Sequence, residues 1–237
     1  QEGAEAITNG DFATDTDWTK GAGWSISGGS ASCDGTNSPL DQSSVTTVGK
    51  SYKVSVTVSN MTTASVNIRL GISSGDIIGS ITANGTYTFY GTVASNTTFR
   101  IRSAEGFDGS IDNVSVKEVG QDWTLDTGWS IGNDKANFNT SGNSSIQQSL
   151  SLTSGKTYRV QISGELISGG LKTANSGLGF DTPFTLPLDA YYTYDGTKPD
   201  NIEIRTIGAS VGSITNISVK EVLQDWTVLD YGAIAAS

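Results

Sequence analysis

The sequence predicts an all-β protein made of two tandem β-sandwich domains. Three observations carry this prediction: the 237 residues repeat themselves after about 100 positions, apolar and polar residues alternate along many short segments, and no segment has a convincing helical period. Solenoid and propeller units recur at roughly 20 to 50 residues. A repeat of about twice that length therefore corresponds to a whole domain.

The repeat is clearest where each unit ends. Residues 110–119 read SIDNVSVKEV, and residues 213–222 read SITNISVKEV. Each copy is followed by Gln-Asp-Trp-Thr, which begins at Gln121 and again at Gln224, 103 residues later. This spacing indicates one domain per repeat.

We expect four segments along the chain. Residues 1–6 form a polar lead-in, residues 7–120 the first domain and residues 121–223 the second domain. Residues 224–237 begin a third repeat or form a docking tail. The junction near Gly120 is too short to act as a flexible linker, so the two domains are expected to sit at a restricted angle.

Alternation with a period of two marks the individual strands, because successive side chains of a strand point to opposite faces. The segments are 52–58, 66–72 and 99–102 in the first unit, and 158–162 and 202–205 in the second. Among the turn signals between strands, Asn84-Gly85 predicts a two-residue hairpin that joins Ile81 to Tyr87. Many short strands separated by turns are typical of a β-sandwich.

Aromatic residues recur at equivalent places in the two units. Trp24 corresponds to Trp129, since each follows a glycine and precedes Ser-Ile, and Tyr52 corresponds to Tyr158. An aromatic residue in a sandwich is most often part of the core. We therefore expect these four rings to be buried.

Composition excludes several classes of function. The chain has 14 Lys and Arg against 24 Asp and Glu, a net charge of −10, so no nucleic-acid partner is expected. No apolar run approaches the roughly 18 residues of a membrane span, so no membrane insertion is expected. The chain has no histidine, which excludes Ser-His-Asp catalysis and histidine-ligated zinc. Cys33 is the only cysteine and has no disulfide partner in the chain.

The remaining acidic residues do not predict a catalytic centre, so the protein is not expected to be an enzyme. Glycoside hydrolysis uses two carboxylates set roughly 5 to 9.5 Å apart, and Glu105, Asp108 and Asp112 lie close together in sequence. They belong to a glycine-rich loop and the strand that follows it, and the corresponding loop of the second unit, residues 208–212, has no acids. Solvated turn carboxylates are the favoured interpretation.

Four landmarks stand in order along the first unit. They are ITNGDF at residues 7–12, Gly23-Trp24, GKSY at residues 49–52 and IDNVSV at residues 111–116. Together they resemble the jelly-roll carbohydrate-binding modules of the family 4, 9 and 22 type. The closing VKEV followed by QDWT also resembles the tandem modules of virion proteins of marine tailed bacteriophages, particularly tail-fibre and other appendage proteins. The resemblance implies two tandem jelly-roll β-sandwich domains.

The resemblance also implies a structural calcium in the first domain. In that family the ion ties the opening Asn-Gly-Asp-Phe segment to the Asp of the closing strand, which here implicates Asp11 and Asp112. Calcium takes six to eight oxygen ligands, which two carboxylates and backbone carbonyls could supply. The second unit lacks both acids and has Thr215 at the position of Asp112. The alternative is that Asp11 is a turn residue and Asp112 a solvated strand residue.

Binding of a sugar needs an aromatic face for the C–H side of the ring and polar partners for its hydroxyls. The candidates are Tyr87, Tyr90, Arg100 and Arg102 in the first unit, and Tyr191, Tyr194 and Arg205 in the second. Because neighbouring residues of a strand point to opposite faces, one member of each adjacent aromatic pair is expected outside the core. The alternative for each of these tyrosines is a place in the core.

Three functional hypotheses follow from the residues and the resemblance. The first is a non-enzymatic phage virion appendage, such as a tail fibre, capsid fibre or decoration protein. It would lie on the virion surface as a homo-oligomer and contact host-surface polysaccharide or neighbouring virion proteins. The second is the accessory carbohydrate-binding region of a secreted polysaccharide-degrading enzyme. The third is a purely structural spacer.

Overall fold

The computed structural model describes residues 2–174, 176–178 and 181–222. Within these residues the regular structure is β-strand, apart from one 3-10 turn at Ser74–Asp76. Every strand pair of this part of the chain is antiparallel. The all-β prediction is therefore confirmed. The prediction of a third repeat or docking tail at residues 224–237 lies outside the described residues.

The first unit has eleven strands among the described residues. They are β1 (Glu2–Glu5), β2 (Thr19–Lys20), β3 (Trp24–Ser27), β4 (Ser30–Asp34), β5 (Pro39–Gln42), β6 (Ser51–Ser59), β7 (Val66–Leu70), β8 (Ile77–Ile81), β9 (Gly85–Thr92), β10 (Phe99–Ser103) and β11 (Asp108–Val119). One sheet has the order β3-β4-β11-β6-β9, with β1 paired to β11, and the other has the order β2-β5-β10-β7-β8. The two sheets form a sandwich.

The strand pairing in this sandwich is nested. β4 pairs with β11, β5 with β10, β6 with β9 and β7 with β8. Two further pairings, β6 with β11 and β7 with β10, join these hairpin-like pairs side by side. One long antiparallel hairpin that rolls up gives this pattern, which is the jelly-roll arrangement. The predicted jelly-roll sandwich is confirmed in the first unit.

The second unit repeats the pattern with fewer and longer strands. They are β12 (Thr124–Leu125), β13 (Trp129–Gly132), β14 (Lys135–Thr140), β15 (Ser145–Ser149), β16 (Thr157–Thr173), β17 (Pro183–Phe184), β18 (Leu188–Thr193) and β19 (Asn201–Glu221). β19 pairs first with β15 and then with β14, while β16 pairs first with β18 and then with β17. β16 thus takes the places of β6 and β7, and β19 those of β10 and β11.

The long strands β16 and β19 cross from one face of the second sandwich to the other. Their mutual pairing has three register shifts, which lie between Ser163 and Gly170 on β16. Bulges of this kind bend a strand and increase its twist. Gly169 has a φ of +84° at the bend, a conformation that glycine adopts without a steric penalty. The separate strands of the first unit therefore become continuous ones in the second.

Each unit has its own hydrophobic core. The buried members of the first core lie between residues 7 and 116, and those of the second between residues 129 and 214. Trp24 and Tyr52 belong to the first core, and Trp129 and Tyr158 to the second, as predicted. The exact domain boundaries stay a prediction.

A tyrosine hydroxyl fixes the same loop in both units. The Tyr52 hydroxyl oxygen accepts the Thr47 amide proton at 2.9 Å, and the Tyr158 hydroxyl oxygen accepts the Thr153 amide proton at 2.8 Å. The ring is buried while its polar end satisfies a backbone group, which is how buried tyrosines are usually accommodated. The repeat therefore extends to individual hydrogen bonds.

The Asn84-Gly85 turn does not close a hairpin. β8 before it pairs with β7 in one sheet, and β9 after it pairs with β6 in the other. The side-chain oxygen of Asn84 accepts the Met61 amide proton at 2.9 Å and so fixes this crossing between the sheets. The hairpin prediction is wrong because the turn residues set the local bend, whereas the pairing partner of each strand is set by the rolled-up topology.

The junction between the units is a packed contact. β13 of the second unit lies against β6 and β9 of the first. Gly120 has a φ of +70°, and a Cβ placed on it would approach Cγ1 of Ile131 to 2.6 Å. A Cβ placed on Gly132 would lie 3.1 Å from the Cβ of Tyr90. These two glycines allow β13 to approach the first unit closely.

Truncation of equivalent core residues tests whether the two units unfold separately. Ile101 and Ile204 are fully buried, one in each core, so each change to alanine is expected to cost about 2 to 5 kcal/mol. We expect Ile101→Ala to lower the melting temperature of one calorimetric transition and Ile204→Ala that of another. A single transition shifted equally by both substitutions would contradict separate unfolding.

Candidate functional site

The most exposed aromatic side chain among the large hydrophobic residues of the described structure is Tyr191, at 60%. It lies on β18, which forms an edge of the second sandwich, opposite Arg159 of β16. Two residues along the same strands, Asp189 lies opposite Gln161. Because side chains two apart in a strand share a face, these four groups form a rectangle on the outer face of the sheet. We call this group the Tyr191 cluster.

An ion pair fixes the polar part of the Tyr191 cluster. Arg159 Nε donates to Asp189 Oδ1 at 2.8 Å and Arg159 Nη2 to Asp189 Oδ2 at 2.5 Å. Gln161 Nε2 also donates to Asp189 Oδ2, at 3.2 Å. Such a two-pronged pair fixes the plane of the guanidinium group. Because both charged side chains are almost half exposed, the pair adds little to stability.

The guanidinium group of Arg159 also supports the aromatic ring. Its Cζ atom lies 5.9 Å from the centre of the Tyr191 ring, within the range of a cation–π contact. One side of the tyrosine is thereby held against the sheet. The ring keeps an exposed surface next to a carboxylate, an amide and a guanidinium group.

The first unit has an equivalent face, but that face is partly covered. Lys53 and Tyr90 occupy the same cross-strand positions as Arg159 and Tyr191. Tyr90 is half-buried and lines a cavity of about 310 Å³ between the two units, together with Trp123. Lys53 Nζ donates to Glu2 Oε1 at 2.6 Å. The second unit therefore covers part of this face in the first sandwich, whereas the described residues leave it open in the second.

The structure places Tyr87 and Tyr194 away from this surface. Tyr87 packs against the first core, stacks on Phe89 at 6.3 Å and donates its hydroxyl proton to the Ala83 carbonyl. Tyr194 is only 8% exposed, belongs to the second core and donates to the Lys198 carbonyl. A role for either ring in sugar binding stays a prediction. Tyr87 packs against the first core and Tyr194 belongs to the second. A place in the core is the alternative that the sequence left open for these tyrosines.

The predicted arginines lie on the other sheet of their units. Arg100 and Arg102 point outward from β10, so the sandwich separates them from Tyr90, which points outward from β9. Arg205 Nη2 donates to Glu203 Oε1 at 2.6 Å on the corresponding surface of the second unit. The structure therefore does not assemble Tyr90 with Arg100 and Arg102.

Sequence analysis missed Arg159, Gln161 and Asp189. The missing information was the register between β16 and β18, because 25 residues, 163–187, lie between the two segments that pair. The repeat offered one signal: Lys53 and Arg159 occupy equivalent positions directly after the repeated Gly-Lys-Ser/Thr-Tyr segments. An outward cation beside an outward tyrosine could have been inferred from it.

The two residues predicted to bind calcium each have a local role. Asp11 Oδ1 accepts the Ala13 amide proton at 3.4 Å, and Asp112 accepts protons from the backbone and side-chain amides of Asn113. The backbone hydrogen bond from Val114 to Gly10 joins the two segments at 2.8 Å. Within the described residues, no group of three or more acidic or cysteine side chains could hold a metal ion. The calcium site stays a prediction that rests on two carboxylates.

A calcium titration tests this prediction. Calcium should raise the melting temperature of the first unit if Asp11 and Asp112 bind it, because a ligand stabilises the state that binds it. We expect the rise to be absent in Asp112→Asn. An unchanged melting temperature in the original protein would leave both residues with their local roles alone.

Two of the three acids considered for glycoside hydrolysis, Asp108 and Asp112, do not form a close pair. Asp108 and Asp112 lie four residues apart on β11. At about 3.3 Å per residue this separates them by about 13 Å, beyond the range that glycoside hydrolysis uses. This strand therefore does not offer a paired-carboxylate centre.

Comparisons with known proteins show only remote likenesses. No family model and no curated protein matches the sequence. Among solved structures, the chain is similar to the N-terminal CBM22-1-CBM22-2 tandem domain of Xyn10C from Paenibacillus barcinonensis, with 10% identity and a TM-score of 0.37 over 93% of this chain and 98% of that one. It is also similar to a fucolectin from striped bass (Morone saxatilis) serum, with 12% identity and a TM-score of 0.26 over 79% and 83%. Neither likeness is close enough to transfer a ligand or a residue role.

The pH dependence of the Tyr191 cluster follows from its ion pair. The hydrogen bond from Arg159 lowers the pKa of Asp189 below its ordinary value of 3.8. The pair is therefore complete above that value and is lost as the pH falls through the lowered pKa. We expect an NMR titration to place the Asp189 midpoint below 3.8, and Arg159→Gln to raise it. Equal midpoints in the two proteins would show that the ion pair is absent in solution.

Proposed function

We propose that this protein is a non-catalytic carbohydrate-binding protein and that the Tyr191 cluster contacts the glycan. The observation that carries the proposal is the exposed Tyr191 ring beside three hydrogen-bonding side chains that are already held in place. Ligand sites typically combine an aromatic surface with a few fixed polar groups. The groups around Tyr191 meet both requirements.

The chemistry of the Tyr191 cluster suits a neutral sugar. The apolar C–H side of a pyranose ring can lie on the exposed face of Tyr191. Asp189 accepts hydrogen bonds, Arg159 donates them and Gln161 does both. Because Arg159 and Asp189 neutralise each other, the cluster offers hydrogen bonds without a large net charge. Such a surface favours hydroxyl groups over ions.

We further propose that the protein is a virion appendage, such as a tail fibre, capsid fibre or decoration protein. This part of the proposal rests on the resemblance of the VKEV-QDWT repeat ends to tandem phage modules. On a virion surface, a homo-oligomer would present many copies of the Tyr191 cluster to host polysaccharide. Many weak contacts then add up, because each further contact becomes effectively intramolecular.

A second candidate function is that of a structural spacer. The observation that favours it is the covered face of the first unit, where β13 packs over the surface that carries Lys53 and Tyr90. The equivalent face of the second unit carries Arg159 and Tyr191. In a spacer, another β-sandwich unit would cover this face, and no glycan would reach Tyr191.

Substitution at Tyr191 distinguishes the two functions. We expect immobilised polysaccharides or a glycan array to identify a bound sugar, and Tyr191→Ala to weaken that binding by about 1 kcal/mol or more because the aromatic surface is lost. Tyr191→Phe should retain most of the affinity. Tyr90→Ala is the matched control, since the equivalent ring of the first unit is covered.

The contrary outcome is equally specific. If the original protein binds no glycan and Tyr191→Ala instead weakens self-association in analytical ultracentrifugation, the spacer function holds. Undiminished glycan binding by Tyr191→Ala would remove the Tyr191 cluster from the proposal.

A further inference from the structure

The outer face of β7 and β10 in the first unit carries an unusual concentration of positive charge. Three of the five arginines in the sequence lie there, in a protein with a net charge of −10. Arg100 of β10 lies directly opposite Arg69 of β7, and Arg102 occupies the next outward position of β10. We call these three residues the arginine face.

Arg100 is already neutralised. Its Nε and Nη2 atoms donate to the two carboxylate oxygens of Asp41 at 2.8 and 2.7 Å. The two side chains are only 18% and 15% exposed. A two-pronged pair of this kind holds the guanidinium group in place, so Arg100 is not counted as a free cation of the arginine face.

Arg69 and Arg102 have no carboxylate partner within the described part of the chain. Arg102 Nε donates to the side-chain oxygen of Asn37 at 2.9 Å. Arg69 Nη1 has only a long contact of 3.5 Å to the Ile72 carbonyl, which also accepts from Arg100 Nη1 at 3.0 Å. Two guanidinium groups therefore share one neutral acceptor.

One nitrogen of Arg69 is left without any partner. Its Nε atom is buried and has no hydrogen-bond acceptor among the described residues. A buried donor without an acceptor costs free energy, more so when the group is charged. Such a group calls for an explanation, and a bound ion is one of the usual ones.

The electrostatic surroundings of Arg69 are also unfavourable. Burial lowers its pKa, and the neighbouring charges of Arg102 and Arg100 lower it further. Asp76 acts in the opposite sense, but its carboxylate accepts the Ser73 amide proton at 2.7 Å in the adjoining turn. Like charges at facing positions of a sheet are destabilising. An anion beside Arg69 and Arg102 would relieve this repulsion.

We infer that the arginine face binds an anionic group of an acidic polysaccharide, a carboxylate or a sulfate, between Arg69 and Arg102. The guanidinium group is well suited to both anions because its donors form a planar fork. Asn67 and Ser80 are hydrogen-bonded to each other beside the arginines, and Asn37 lies on the opposite side. These neutral groups can bind the hydroxyls of the same sugar.

The amount of charge favours a polysaccharide over a nucleic acid. Double-stranded DNA carries one charge per roughly 1.7 Å, whereas only two cations of this face lack an acidic partner. The net charge of −10 would repel a dense polyanion. An acidic polysaccharide with one anion per sugar unit carries its charges farther apart than DNA does, so two cations can match the anions that reach the arginine face. This site lies in a different unit from the Tyr191 cluster and does not depend on it.

Calorimetric titrations at low ionic strength test the inference. The probes are an oligomer of galacturonic acid, its methyl ester, which lacks the charge, and a sulfated galactan oligosaccharide. We expect the full chain to bind the uronate or the sulfated probe more tightly than the ester, and to lose this preference as salt is added. The two charged probes show which anion the site prefers.

Substitutions at Arg102 locate the binding on this face. We expect Arg102→Gln to reduce the affinity about tenfold or more, as for loss of a charge-assisted hydrogen bond, and Arg102→Lys to retain part of it. Lys135→Gln, which removes an exposed cation of the second unit outside both proposed sites, is the matched control and should bind as well as the original protein. Arg102→Gln should also keep its melting temperature, because its removal lessens the repulsion on Arg69.

Three results would overturn the inference. Unchanged affinity in Arg102→Gln, or equal binding of the uncharged ester, would remove the arginines from the contact. Binding of a single-stranded oligonucleotide as tightly as the best saccharide would assign the face to a different polymer. Failure of both charged probes to bind would show that the arginine face binds neither a carboxylate nor a sulfate group of a polysaccharide.

Discussion

The pairing of the closing strand with the middle strand of each unit is the interaction on which the rest of the structure depends. β11 pairs with β6, and β19 pairs with β16, although the paired residues lie 51 to 68 positions apart in the first unit and 31 to 63 positions apart in the second. Each pairing joins the nested hairpins into a sandwich, and its register decides which side chains enter the core. Because a slip by one residue would exchange the two faces, the same pairing also fixes the surface positions of Arg159 and Tyr191.

The two units resemble each other more at equivalent buried positions than at equivalent outward positions. Tyr52 and Tyr158 make the same hydrogen bond to a threonine five residues earlier, and both rings are buried. By contrast, Tyr90 is partly covered by Gly132 of the next unit, while Tyr191 is exposed. Packing constrains the buried positions in both units, since a close-packed core tolerates few changes of volume. The outward positions are free to acquire different partners.

Much of the fold could be predicted from the sequence, but less of the site. Alternation identified β6 and β10, and the repeat identified the buried rings of Trp24 and Trp129, because both signals are local or recur along the chain. Local signals did not show which strands pair on either side of the Asn84-Gly85 turn. They also did not show that the counterparts of β10 and β11 are joined into the single strand β19 in the second unit. The same limit applies to the Tyr191 cluster. Its residues come from two strands, and only their register places Asp189 beside Arg159.

The second unit shows why the arginine face has no copy there. Glu203 stands at the position equivalent to Arg100, and Ala174 lies across the sheet from it, at the position equivalent to Arg69. Glu203 is 4% exposed and pairs with Arg205, which corresponds to Arg102. One acid thus neutralises the single arginine that remains, and no guanidinium group is left without a carboxylate. The two units therefore carry different chemistry on corresponding sheets: paired charges in the second unit, and two arginines without an acidic partner in the first.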